Sequence, residues 1–263
     1  NYDPRAEPAR WARFVEHTHR QVEELVSGYG PIDVLWLDGG WVRPPELDVR
    51  MADLVAMARR HQPGLIVADR TVGGAFEDFT TPEQTVPDEP PPGAWESCVT
   101  IGGSWKYVEH DVFKPTFELL RLLVEVVAKG GNLLLGVGPD PDGALPAGAL
   151  ARLDDLGAWM DVNGEAIHGT RPLPSWREGM TCFTRRGDTV YAIVLEAPAD
   201  GGVVVSSVVP AAGATVACLG HDEPVRLEHG GAAATLTLPT AACDRLEHGL
   251  PVVLRFASEL EAR

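Results

Sequence analysis

Asp38 closes the stretch Pro31-Ile32-Asp33-Val34-Leu35-Trp36-Leu37-Asp38, and Gly39-Gly40 stand behind it. A carboxylate at the C-terminal end of a buried strand can face a ligand, and glycines after it let that ligand approach the backbone closely. Downstream come Asp69-Arg70, Glu77-Asp78, Glu83, Asp88, Glu89 and Glu96. Two carboxyls brought from different strand ends, one ionised and one protonated, can cleave a glycosidic bond: one is nucleophile or base, the other is acid. Spacing alone does not select the second partner, since loop carboxylates are solvated by default.

Other chemistries lack their residues. Cys98, Cys182, Cys218 and Cys243 form no CxxC pair, so neither a zinc site nor a dithiol redox motif is indicated; one disulfide among the last three is compatible with the spacing. His17 and His19 lie two apart on a helical pattern and point in different directions, so they are no ligand pair. Gly138–Gly143 lacks the lysine of a phosphate loop and reads as a turn and helix cap; Gly102-Gly103-Ser104-Trp105-Lys106 has lysine where a nucleophile elbow needs its last glycine. No metal or other cofactor is expected. A formal charge of −16 argues against nucleic acid or an anionic membrane as partner, and there is no apolar stretch of transmembrane length. The first five residues are polar and lead straight into a helix, unlike a secretory signal.

The elements that must position these carboxylates fall into two styles. The chain has 263 residues, 44% of them hydrophobic, enough to bury a substantial core. Trp11, Phe14, Val15, Val22, Leu25 and Val26 recur at helical spacing, and Gly28 and Gly30 stop that helix. A strand over 33–38, a helix over about 46–60, a strand over 65–68, a Pro- and acid-rich loop over 74–94 and a strand over 97–101 follow. A helix over 115–129, a strand over 132–137 and a helix over about 146–162 complete this part. Apolar strands separated by helices indicate a parallel α/β sheet or barrel. About four strand–helix units amount to half of an eight-stranded barrel, which takes roughly 250 residues. After Pro172–Pro174, short β runs (191–195, 203–205, 214–217, 234–238, 252–256) are separated by Gly, Pro and Asp, as in an antiparallel sandwich. The expected organisation is α/β: a partial (β/α)8-type, TIM-like barrel over 1–172, followed by an antiparallel β-sandwich domain over 173–263.

Six stretches, in order, carry a more specific signal: YGPIDVLWLDGGW (29–41), LIVADR (65–70), FTTPEQTVPDEPP (79–91), WESCVTIGGSWKY (95–107), VAKGGNLLLGVGPDPDG (127–143) and WMDVNGEAIHGTRP (159–172). Together they resemble the α-L-fucosidases of glycoside hydrolase family 29, over about residues 20–172. The resemblance implies a TIM-like barrel with a C-terminal sandwich, no cofactor, and retaining hydrolysis of terminal fucose from a fucosylated oligosaccharide or glycoconjugate. It implies that Asp38 is the nucleophile, that Trp36 lines the fucose pocket with an apolar face for the 6-deoxy methyl group, and that Arg70 reaches the sugar or keeps Asp38 ionised by its charge. Glu83, in Thr81-Pro82-Glu83-Gln84, matches the acid/base; Glu96 is its rival, retained with Trp105 as a substrate-binding candidate, and Tyr107 is a candidate for the same mouth. The two catalytic carboxyls of a retaining enzyme must stand about 5–5.5 Å apart. Thr71-Val72-Gly73-Gly74, where a Trp-Gly often follows the Asp-Arg pair, is similar to the branch acting on α1,3/α1,4-linked fucose.

Three departures qualify the resemblance. The family's first barrel strands, with their histidines and tryptophan for the fucose hydroxyls, have no counterpart here; Gly136 stands where Asn is frequent, and His168 where Tyr is usual. A half barrel would expose strand edges and an apolar interior. The chain is therefore read as a piece of a longer enzyme, as a subunit whose barrel a second copy or chain completes, or as a minimal variant with a rebuilt site. The competing functions are a non-catalytic carbohydrate-binding or scaffold protein on a degenerate half barrel, and another retaining glycosidase.

Overall fold

The computed structural model describes residues 4–199 and 201–258. The chain divides into two compact units, one ending at Thr81 and one beginning at Pro82.

The first unit is a strand–helix–strand repeat behind a long helix. Helix α1 (Pro8–Gly28) buries Val15, Val22 and Val26 along one stripe. Strand β1 (Val34–Leu37) runs parallel to β2 (Ile66–Asp69), with Leu35 beside Val67 and Leu37 beside Asp69. Helix α2 (Met51–His61) connects them and packs Met51, Leu54, Val55 and Ala58 with the α1 stripe, Leu35 and Val67 in one cluster. Each such buried Val, Leu or Met side chain stabilises the unit by about 1.5–3 kcal/mol. Helix α2 begins later than its apolar pattern suggests. Arg50 adopts a left-handed conformation (φ 52°) and donates its backbone N–H to Asp48 Oδ1, a turn that excludes helix before Met51. The Gln62 side chain ties the unit's end together, accepting from Ile32 N at 2.7 Å and donating to Val26 O and Gly30 O.

The second unit begins with another strand–helix–strand repeat. Strand β3 (Glu96–Thr100) runs parallel to β4 (Asn132–Gly136), and α3 (Thr116–Ala128) connects them; α4 (Ala147–Asn163) follows. Then the pairing turns antiparallel. Strands β5 (Arg171–Glu178), β6 (Thr181–Arg186) and β7 (Thr189–Val194) form a meander. Strand β12 (Val252–Ala257) lies against β7 and the two-residue β9 (Ala217–Cys218) closes that five-stranded sheet. A second sheet has the order β10 (Arg226–Gly230), β11 (Ala233–Thr237), β8 (Gly202–Val205), and α5 (Thr240–Glu247) precedes β12.

The five-stranded sheet is buried on both faces. Phe183, Val190, Ala192 and Leu254 pack with Val203, Val205, Ala234 and Leu236 of the other sheet. Their alternates Cys182, Tyr191, Ile193 and Val253 pack with Leu120, Val124 and Ala128 of α3 and Trp159 of α4. Two-faced burial explains why Tyr191–Leu195 reads as an unbroken apolar run instead of an alternating one. Strand β5 escapes that reading because Pro172 and Pro174 interrupt it. It is an edge strand, where missing N–H donors are tolerated. Among the described residues, no helix is long and apolar enough to cross a membrane.

Candidate functional site

The expected site residues fall in both units. In the first, the parallel register sets Leu37 beside Asp69, so the loops leaving β1 and β2 start side by side with Asp38 and Arg70. Arg70 N donates to Leu37 O at 3.0 Å, extending the ladder by one bond. Trp36 and Asp38 lie two apart on the sheet face opposite the helices. The Arg70 guanidinium lies over the Trp36 ring, 4.8 Å from its centroid, and its Nε stands 3.9 Å from Asp38 Oδ1. At that distance the contact is between charges and is not a hydrogen bond. Arg70 is the better-covered partner, with 18% of its side chain exposed against 63% for Asp38. One face of Trp36 therefore carries a cation.

The loop behind Arg70 is held by Asp69, which is 1% exposed. Its Oδ1 accepts from Thr71 N at 3.0 Å and Val72 N at 2.9 Å. The glycines after Asp38 serve this loop. A Cβ on Gly39 would stand 3.2 Å from Thr71 Oγ1, and one on Gly40 would stand 3.7 Å from Arg70 O. The space that sequence reading assigns to an approaching ligand is, at Gly39, occupied by the Thr71 side chain.

In the second unit, Glu83 belongs to an extended segment bridged to β3: Gln84 N donates to Cys98 O at 2.8 Å and Cys98 N to Pro82 O at 2.9 Å. Gln84 has a left-handed backbone (φ 54°), unusual outside glycine, and its side chain bonds Thr100. Trp105 Nε1 donates to Glu83 Oε1 at 2.8 Å. The Trp105 ring lies on Gly136, where a Cβ would come within 2.4 Å of Cζ3. Glycine at position 136 thus makes room for an indole. Glu96 opens β3, four residues before Thr100, at the opposite end of that strand. Tyr107 is 37% exposed, and its backbone N stands 2.5 Å from where a Gly138 Cβ would be.

Sequence reasoning brought out Asp38, Arg70, Glu83 and Trp105 but missed Gln84, whose side chain ties the Glu83 segment to Thr100. Among the described residues, no group of three or more His, Cys, Asp or Glu side chains could hold a metal. All four cysteines are free; burial pushes the Cys182 and Cys218 thiols up to about 11, which makes them poor nucleophiles.

A family model described as alpha-L-fucosidase matches residues 1–165. The chain is 30% identical to an alpha-L-fucosidase of Branchiostoma floridae over 86% of its own length and 53% of that protein's. It is 33% identical to the plasma alpha-L-fucosidase of Homo sapiens over 82% of its length and 50% of the other. Among solved structures it resembles alpha-L-fucosidase isoenzyme 1 from Paenibacillus thiaminolyticus with a TM-score of 0.84, at 28% identity, covering 95% of this chain and 63% of that one. It also resembles Thermotoga maritima alpha-fucosidase in complex with a mechanism-based inhibitor, with a TM-score of 0.77 at 31% identity, covering 93% and 57%. The chain spans about half the length of the curated relatives it matches.

Proposed function

The chain belongs to the alpha-L-fucosidase family, and from that premise we propose that it carries the nucleophile and the acid/base of a retaining α-L-fucosidase acting on fucosylated glycans. The observation that carries this reading is the cluster Trp36–Arg70–Asp38 at the ends of two parallel strands. The Asp38 carboxylate attacks the anomeric carbon, and the bond to the leaving oxygen breaks as Glu83 protonates that oxygen. Water then attacks the fucosyl–Asp38 ester, its proton passes to Glu83, and Asp38 is released as carboxylate.

The surroundings suit those roles. Arg70 places positive charge beside Asp38, 3.9 Å from its Oδ1. An indole N–H only donates, so Glu83 Oε1 is the acceptor for Trp105, which suits a reading in which Oε2 carries the catalytic proton. Residues 1–172 are proposed to contribute strand–helix units to a (β/α)8-type barrel, with 173–263 as the sandwich. Val34 and Ile66, neighbours on the Trp36 face, are 42% and 44% exposed, which suits the interior of a larger barrel. Thr71–Gly74 suggests α1,3- or α1,4-linked fucose, and Glu96 is the less favoured carboxylate.

The test is hydrolysis of an aryl α-L-fucoside by the chain and its variants. Asp38→Ala and Glu83→Ala should each lower kcat by about 10²–10⁴-fold. Azide should restore turnover to Glu83→Ala with an activated leaving group, giving α-fucosyl azide by a second inversion at the fucosyl–Asp38 ester. Activity that survives Asp38→Ala removes the nucleophile assignment. A parent chain that binds fucose without hydrolysing any fucoside supports the non-catalytic alternative.

A further inference from the structure

Lys129 is a buried cation of the second unit, with 2% of its side chain exposed, and the reaction proposed above does not use it. Its ammonium reaches three separate parts of the fold. It donates to Pro87 O at 2.7 Å, in the loop that carries Glu83. It donates to Glu125 Oε1 at 2.7 Å, in the last turn of α3. It also stands 4.6 Å from the centroid of the Trp176 ring, on strand β5 of the five-stranded sheet. The lysine backbone is equally engaged, since Lys129 O accepts from Trp95 Nε1 at 3.3 Å.

Burying an ammonium is costly, and an i, i+4 pair with Glu125 could form as well at the surface. Burial therefore asks what the charge holds. Pro87 is four residues beyond Glu83, and the segment between is fastened to β3 at several points: Pro82 and Gln84 to Cys98, and Thr85 O to Ser97 Oγ at 2.7 Å. These bonds fix the start of the loop on the strand. The Lys129–Pro87 bond fixes its continuation on a helix end, and through Trp176 on the antiparallel sheet.

We propose that Lys129 is a positioning residue for Glu83: its ammonium couples the acid-bearing loop to the end of α3 and to Trp176, so that the antiparallel sheet helps place the general acid. The role assigned to Glu83 is that of the preceding reading. Without the ammonium the loop pivots about its β3 bonds and the acid loses its aim on the leaving oxygen. Reactions that need little protonation are spared.

The experiment compares the full chain with Lys129→Met, Trp176→Leu and Trp176→Phe in two measurements. Amide hydrogen exchange over 82–89 should rise about tenfold in Lys129→Met and less in Trp176→Leu, with α3 and β6–β7 still protected and Trp176→Phe near the parent. For kcat/KM, Lys129→Met should lose about tenfold on a phenyl α-L-fucoside and under about twofold on the 2,4-dinitrophenyl fucoside, whose leaving group needs no acid. Unchanged exchange over 82–89 overturns the proposal. So does equal loss on the two substrates, or exchange that rises through the whole unit. If the parent hydrolyses neither substrate, the catalytic reading fails by itself and the exchange measurement alone decides whether Lys129 holds the loop.

Discussion

Asp38 and Glu83 are held in place by different devices. Asp38 is the next residue after a strand, and the register that pairs Leu37 with Asp69 brings Arg70 to it within a few covalent bonds of the ladder. Glu83 lies on a loop with no regular ladder of its own. It takes its position from Cys98, Thr100, Trp105 and, by the inference above, Lys129. A strand end resists local change because successive backbone bonds to the neighbouring parallel strand define it. A pinned loop depends on each pin. Changes of equal size should therefore disturb the surroundings of Glu83, the proposed acid, more than those of Asp38, the proposed nucleophile.

The strongest test uses two glycines on β4 and its approach. A Cβ on Gly131 would stand 2.4 Å from Cε2 of Trp95, and one on Gly136 would stand 2.4 Å from Cζ3 of Trp105. The clash is the same, but Trp95 is 1% exposed and Trp105 is 41% exposed. Gly131→Ala has nowhere to send the ring and should cost about 2–3 kcal/mol in denaturant unfolding. In Gly136→Ala the indole can swing outward, so stability falls by less than about 1 kcal/mol. The swing breaks the Trp105–Glu83 hydrogen bond and should lower kcat on a poor leaving group about tenfold. If Gly136→Ala leaves the kinetics unchanged, Trp105 does not hold Glu83 for the proposed proton transfer.

The same division governs what could be read from sequence. Asp38 and Trp36 stand out because an apolar strand with a carboxylate at its end is a local pattern, and so are the helices that carry Val15, Val22 and Leu120. Glu83 has no such local signal, since its partners Trp105 and Lys129 are 22 and 46 residues away in the chain or reach it through Pro87. The resemblance to known motifs supplied what periodicity could not. Strand β5 was hidden by its prolines, and β6 by its Thr and Arg content, though both pair in the five-stranded sheet. The role of Gly39 was misassigned for a related reason: the side chain that fills its space, Thr71, comes from the neighbouring strand's loop.

A smaller effect follows from pH. Glu178, the last residue of β5, accepts from Ser206 N and Oγ and from Ser207 N and Oγ, tying β5 to the chain just after β8. Partial burial opposes its charge, but the four donors outweigh that and bring its pKa down from the ordinary 4.5 to about 2. A depressed pKa contributes stability above pH 4.5 that is lost as pH falls toward 2. The clamp faces water, so its contribution is discounted to about 1 kcal/mol. Glu178→Gln should remove about that amount at pH 7 and flatten the stability curve between pH 5 and 2. Trp176 lies two residues away on the same strand. Acidification through this window should therefore loosen residues 82–89 sooner than the β1–β2 ladder in hydrogen exchange. If both loosen together, the two carboxylates do not differ in their dependence on the sandwich.

The smallest effect is expected beside Asp38. Gly39→Ala places a Cβ 3.2 Å from Thr71 Oγ1 and 3.4 Å from Cγ2, so the threonine must yield by only a few tenths of an ångström. The cost should be about 0.5 kcal/mol, and kcat should stay within about twofold of the parent. Thr71→Ser shortens the obstructing side chain by a methyl group. In combination with Gly39→Ala it should recover part of that half kilocalorie, whereas independent sites would simply add their costs. The register of β1 on β2 continues to deliver Asp38 to Arg70 in both variants, because Arg70 N still bonds Leu37 O. A tenfold loss in kcat from Gly39→Ala would reverse the comparison: Asp38 would then depend on its loop as closely as Glu83 does, and the strand end alone would not place it.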